Sequence, residues 1–153
     1  MGYRTLYRVS AVLLLAGALG HTLGGMVGTA ARGPQAGAPA ELVFSAMKST
    51  HFVWAGADST WFGLWLGNGL CVSALLLLAI VVLWVLGGLG LGLQRSTLPI
   101  AWTALLSLML VSVLGFKYFG ARIGAVFGLI ALIAGIGVIM STIAVRNQLA
   151  TRS

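Results

Sequence analysis

Four long apolar runs, at about residues 6–28, 58–86, 98–116 and 122–145, set the pattern of this chain. At a helical rise of ~1.5 Å per residue each approaches or exceeds a ~30 Å hydrocarbon core, and none alternates as a half-buried strand does. The polar positions fall at the ends of these runs and in one loop of moderate length, residues 29–57. The pattern predicts an all-α fold: an integral membrane four-helix bundle, one transmembrane domain over residues 1–153, with a short interfacial helix in the first loop.

Within the runs, small residues recur at helical spacing. Gly20, Gly24 and Gly28 line the first span, Gly63, Gly67 and Cys71 the second, and Gly124, Gly128, Ala131 and Gly135 the fourth. Such ridges let helices approach closely, and they also offer faces for a homo-oligomer. Arg4 and Arg8 before the first run, with Gly28-Thr29-Ala30 after it, also fit a secretory signal peptide; a retained first helix is the preferred expectation. Residues 32–39 read as irregular, and about residues 39–52 as the interfacial helix. Glu41 falls in its first turn, where a carboxylate suits the helix dipole. Asp58-Ser59-Thr60 is a competent cap for the second span. Residues 87–97 read as a Gly-rich turn, Pro99 as a first-turn proline, and residues 117–122 as a tight turn.

Composition sharpens the class. The chain is 59% hydrophobic and only 7% charged, against about a quarter charged for a soluble domain. It lacks the charge to cover a soluble surface. Nine Lys and Arg against two acids give a net charge of +7. These cations flank apolar runs, as anchors for lipid headgroups, so membrane lipids rather than nucleic acid are the expected partners. The single cysteine, Cys71, excludes an internal disulfide framework. Four spans put both termini on one side, with Arg4, Arg8, Arg95, Arg146 and Arg152, and leave Arg32, Lys48, Lys117 and Arg122 on the other. That bias favours cytoplasmic termini, in a bacterial inner membrane or a eukaryotic endomembrane.

The same sorting gathers the chemistry. His21, Glu41, His51, Trp54, Asp58, Trp61, Trp65, Asn68, Lys117, Tyr118 and Arg122 fall at one membrane face. The opposite half reads as nearly plain hydrocarbon anchored by Trp84 and Trp102. If the second helix begins at Asp58, then Asp58, Trp61, Trp65 and Asn68 share one helical face. Ionisable groups within spans point to function. The plainer readings are a capping Asp58, an aromatic belt, and a neutral His21 bonded to a backbone carbonyl.

Phosphate-binding loops, G-x-S-x-G, CxxC and HExxH are all missing. His21, His51, Asp58 and Glu41 lack diagnostic metal-ligand spacing, and no metal or cofactor is expected. A desolvated Asp58 would hold its proton and serve as general acid, with His21 or His51 as proton acceptor and Glu41 as the other candidate acid. Trp54, Trp61, Trp65, Asn68 and Tyr118 would line the substrate site, the indoles stabilising cationic character. These features suit isomerisation, cyclisation or epoxide opening of an apolar terpenoid- or lipid-like substrate. The competing class is a non-catalytic lipid- or small-molecule-binding protein, or an assembly subunit of a larger membrane complex.

His21-Thr22, Met47, Phe52, Gly56, Thr60-Trp61, Gly67, Gly69-Leu70 and Lys117-Tyr118-Phe119 together give a pattern that resembles a widespread group of small four-helix membrane proteins. The architecture is also similar to integral-membrane enzymes that rearrange or cyclise terpenoid epoxides, and to emopamil-binding-type sterol isomerases. These resemblances imply the fold and a membrane pocket, and assign no residue a role.

Overall fold

A computed structural model describes residues 2–35 and 37–151 of the chain; Arg152, one of the expected basic anchors, lies outside them. Four helices are long and apolar enough to cross a membrane: α1 (Tyr3–Arg32), α3 (Trp61–Gly88), α4 (Leu91–Phe119) and α5 (Ala121–Ala150). The protein is an all-α integral membrane protein, as the apolar runs predict. Between α1 and α3 lie the shorter α2 (Ala38–Ser49) and a hairpin of β1 (His51–Trp54) and β2 (Ala57–Thr60).

Several boundaries differ from expectation: α1, α4 and α5 run on to Arg32, Phe119 and Ala150, and the expected turn over residues 117–122 shrinks to Gly120. The interfacial helix stops at Ser49, and the next residues pair as strands, so α3 begins at Trp61 rather than Asp58. Its cap is Thr60, whose Oγ1 accepts the Gly63 N–H at 3.0 Å. The expected turn over residues 87–97 shrinks to Leu89 and Gly90, so Pro99 sits inside α4 rather than in its first turn. Proline there withholds one helical N–H.

Contacts divide the chain into two compact units. One holds the chain up to Gly17 and from Leu77 onward. Here the start of α1 lies against α3 and α5 at two glycines. A Cβ on Gly87 would come within 2.9 Å of Arg8 Cγ, and one on Gly137 within 3.3 Å of Leu6 Cβ. The glycine stripe of α5 packs as expected: the Phe116 ring occupies the space a Cβ on Gly124 would take, and Leu105 of α4 reaches Gly135. Ser112 donates to the Gly124 carbonyl at 2.9 Å. Around these contacts Leu83, Ile130, Ala134 and Val138 form the buried apolar core.

That core also holds polar groups where the sequence reads as hydrocarbon. Tyr7, Ser10, Gln94 and Ser141 are completely buried. The Tyr7 hydroxyl lies 3.0 Å from Ser141 Oγ, which itself donates to the Val138 carbonyl. Tyrosine is therefore the donor of the pair. The Gln94 amide lies near Tyr7 yet has neither atom in hydrogen-bonding geometry, and Ser10 Oγ is also unpaired.

The second unit is Ala18–Leu76. Within it α1 passes through a π-helical segment, Gly20–Gly28. Four glycines in GHTLGGMVG weaken the ordinary helical preference there. The expected ridges are not the point of approach: a Cβ on Gly20, Gly24 or Gly67 would meet open space. Closest approach occurs at Gly69 of α3, where the Met26 thioether fills the space of the missing side chain.

Two outcomes follow from this packing. Gly69→Ala is expected to lower stability in detergent by about 1–3 kcal/mol, the usual cost of overpacking, while Gly67→Ala stays within about 0.5 kcal/mol. Gln94→Leu is expected to raise stability by about 1–3 kcal/mol, because it removes a buried amide left without partners. Denaturant-induced unfolding of the purified variants measures both.

Candidate functional site

The hairpin is built by its turn. Trp54 and Ala57 close a two-residue loop, with Ala55 at φ 50° and Gly56 at φ 83°. Positive φ at both positions is the type I′ geometry that suits the twist of paired strands. His51 stands opposite Thr60, and Val53 opposite Asp58. Alternation then puts His51, Val53, Asp58 and Thr60 on one face of the hairpin and Phe52, Trp54, Ala57 and Ser59 on the other. His51 and Asp58 are diagonal neighbours on their face, within reach of each other's side chains.

They meet. His51 Nδ1 lies 2.9 Å from Asp58 Oδ2. A carboxylate can only accept, so Nδ1 is the donor, and in the neutral imidazole Nε2 then presents its lone pair. No described residue takes that Nε2. Protein covers the pair only partly, leaving the His51 side chain 61% and the Asp58 side chain 70% exposed. This corrects two expectations. Asp58 is not in helical register with Trp61, Trp65 and Asn68, because a strand carries it. Nor is it buried by protein, as the expected acid beside two indoles would be.

The other face of the hairpin contributes Phe52 to an aromatic cluster. Phe52 and Trp61 stack with centroids 4.7 Å apart. Phe44 of α2 meets Phe62 edge-on at 5.3 Å and Trp65 at 6.1 Å. Lys48 Nζ sits 4.7 Å from the Phe44 ring centre and 5.0 Å from that of Phe62. Aromatic packing thus ties α2 to the start of α3. Trp54 projects from the hairpin, 60% exposed.

The remaining candidates are placed as follows. His21 Nε2 donates to the Gly69 carbonyl at 3.1 Å, the plainer reading of that residue. Thr22 donates to Ser73 Oγ at 2.8 Å, and Ser73 to the same Gly69 carbonyl at 3.1 Å. His21 is therefore one member of a clasp between α1 and α3. Glu41 is exposed in the first turn of α2, and Asn68 is exposed on α3. Tyr118 belongs to the other unit, exposed beneath Lys117, whose Nζ is 5.1 Å from its ring centre. Among the described residues no three His, Cys, Asp or Glu side chains converge as metal ligands.

Sequence reasoning misses the strands, and with them the pairing of His51 with Asp58. The available signal is Phe52-Val53-Trp54, a β-prone run, followed by Ala55-Gly56. Ala55 at positive φ is strained. Ala55→Asn, better suited to that conformation, is expected to slow amide exchange across the hairpin several-fold, and Gly56→Ala to speed it. Hydrogen–deuterium exchange resolved to residues 51–60 reads both effects.

Compared with known proteins, the chain matches no family model, no curated protein and no solved structure.

Proposed function

We propose that this integral membrane protein carries out acid–base chemistry on an apolar, lipid- or terpenoid-like molecule at the membrane interface, with His51 as the group that takes and returns the proton. The observation that carries the reading is the 2.9 Å contact of His51 Nδ1 with Asp58 Oδ2. It fixes the imidazole tautomer and leaves Nε2 as a base. Asp58 is then a positioning residue, not the general acid. Trp61, exposed and next in sequence to the hairpin, would offer an indole face to a substrate and attract positive charge developing on it. Removal of a proton at one carbon and its return at another is an isomerisation, which needs no cofactor. Epoxide opening would use the same nitrogen once protonated.

A second reading, binding or assembly without catalysis, is favoured by α1. Only 11% of its most apolar stretch is buried, against 28–33% in the other three long helices.

Isotope exchange separates the two without knowledge of the substrate. Membranes of the expressing cell, incubated with the protein in deuterated water, are expected to yield an apolar metabolite carrying deuterium on carbon. His51→Gln should slow that incorporation by about 10²–10⁴-fold, the usual worth of a positioned base. Asp58→Asn should slow it less, and Glu41→Gln not at all. Incorporation that is equal with and without the protein would leave the non-catalytic reading standing.

A further inference from the structure

The far end of α1 carries a polar notch that the hairpin chemistry does not use. Gly24, Gly28, Thr29, Arg32, Gly33 and Gln35 surround a shallow concavity of about 280 Å³. Its shape follows from the sequence. Gly24 and Gly28, four residues apart, remove two side chains from one stripe of the helix. A Cβ on Gly28 would stand 2.9 Å from Arg32 Nη2 and 2.8 Å from the Leu23 carbonyl. The guanidinium therefore folds back over the gap that glycine leaves, with Arg32 Nε donating to the Gly28 carbonyl at 3.5 Å. That contact occupies one of five N–H donors. No described residue accepts from the terminal nitrogens. Thr29 and Gln35 add a hydroxyl and an amide, and Arg32 is the one charged group among the described residues lining the notch. Along the adjacent stripe Leu19, Leu23 and Val27 are 51%, 61% and 49% exposed. A cationic, donor-rich notch thus caps an uncovered apolar stripe on one helix.

We propose that this notch binds the phosphate headgroup of an amphiphile whose chains lie along Leu19, Leu23 and Val27. Guanidinium presents paired N–H groups that match phosphate oxygens, and a cation that is hydrogen-bonded to its own helix needs little further ordering. The apolar stripe distinguishes a lipid from a soluble phosphate compound. The site is separate from the hairpin pair and stands whether or not that pair is catalytic.

The test is native mass spectrometry of the full-length protein in detergent, titrated with phosphatidylglycerol or with diacylglycerol, which has the same chains and no phosphate. Wild type is expected to retain phosphatidylglycerol and not diacylglycerol. Arg32→Gln should weaken retention about 10–100-fold, as loss of charge-assisted hydrogen bonds does. Arg32→Lys, which keeps the charge without the planar fork, should fall between. Lys48→Gln removes the same charge elsewhere in this unit and should leave retention as in wild type. Inorganic phosphate at millimolar concentration is the competing probe. Failure to displace the lipid confirms that the chains contribute, whereas full displacement overturns the lipid assignment and leaves a phosphate site. Equal retention by Arg32→Gln and wild type, or equal losses in Arg32→Gln and Lys48→Gln, would overturn the site itself.

Discussion

Lipid tails give a helix no hydrogen-bond partner and little reward for hiding one apolar surface against another. Close approach and a few polar contacts must then hold the helices together. This chain supplies both at the same places. The Gly69 carbonyl accepts from His21 and Ser73 while Met26 rests where a side chain would be. The Gly124 carbonyl accepts from Ser112 while Phe116 covers its Cα. In each case the glycine exposes its own backbone, and a neighbouring donor meets the carbonyl so uncovered. The glycines are thus sites of hydrogen bonding as much as of packing.

Much of the architecture is legible because a span is a statement about length and apolarity. The stripe of Gly124, Gly128 and Gly135 reads correctly for the same reason: α5 is regular, so spacing translates into a face. The stripe of Gly20 and Gly24 misleads because the helix there is π-helical and the neighbouring contact is made by His21, Thr22 and Met26 instead. Tyr7, Ser10, Gln94 and Ser141 escape notice because each is an isolated polar residue, and nothing in their spacing says that three different helices bring them together.

The hairpin is the larger omission, and it changes the chemistry assigned to one residue. On a helix Asp58 would be a carboxyl shielded by two indoles. On β2 its carboxylate instead accepts from an imidazole, and the proposed acid–base role passes to His51. Ala-Gly is a weaker hairpin signal than Asn-Gly, and Ala57 and Asp58 are poor strand formers. The strands persist because Phe52 stacks on Trp61 and Thr60 caps α3, contacts that local preference alone does not foretell.

Gly120 has a consequence for how the protein is made. With φ 91° it is the one residue between the end of α4 at Phe119 and the start of α5 at Ala121. So short a connection leaves no polar tether to be threaded separately across a bilayer. The two helices are held as a closed pair, apposed near Gly115 and Gly124, where a Cβ on Gly115 would lie 3.0 Å from the Gly124 Cα. Contacts so near in sequence form early. The last two spans therefore give α1 a finished surface against which its first turns come to rest.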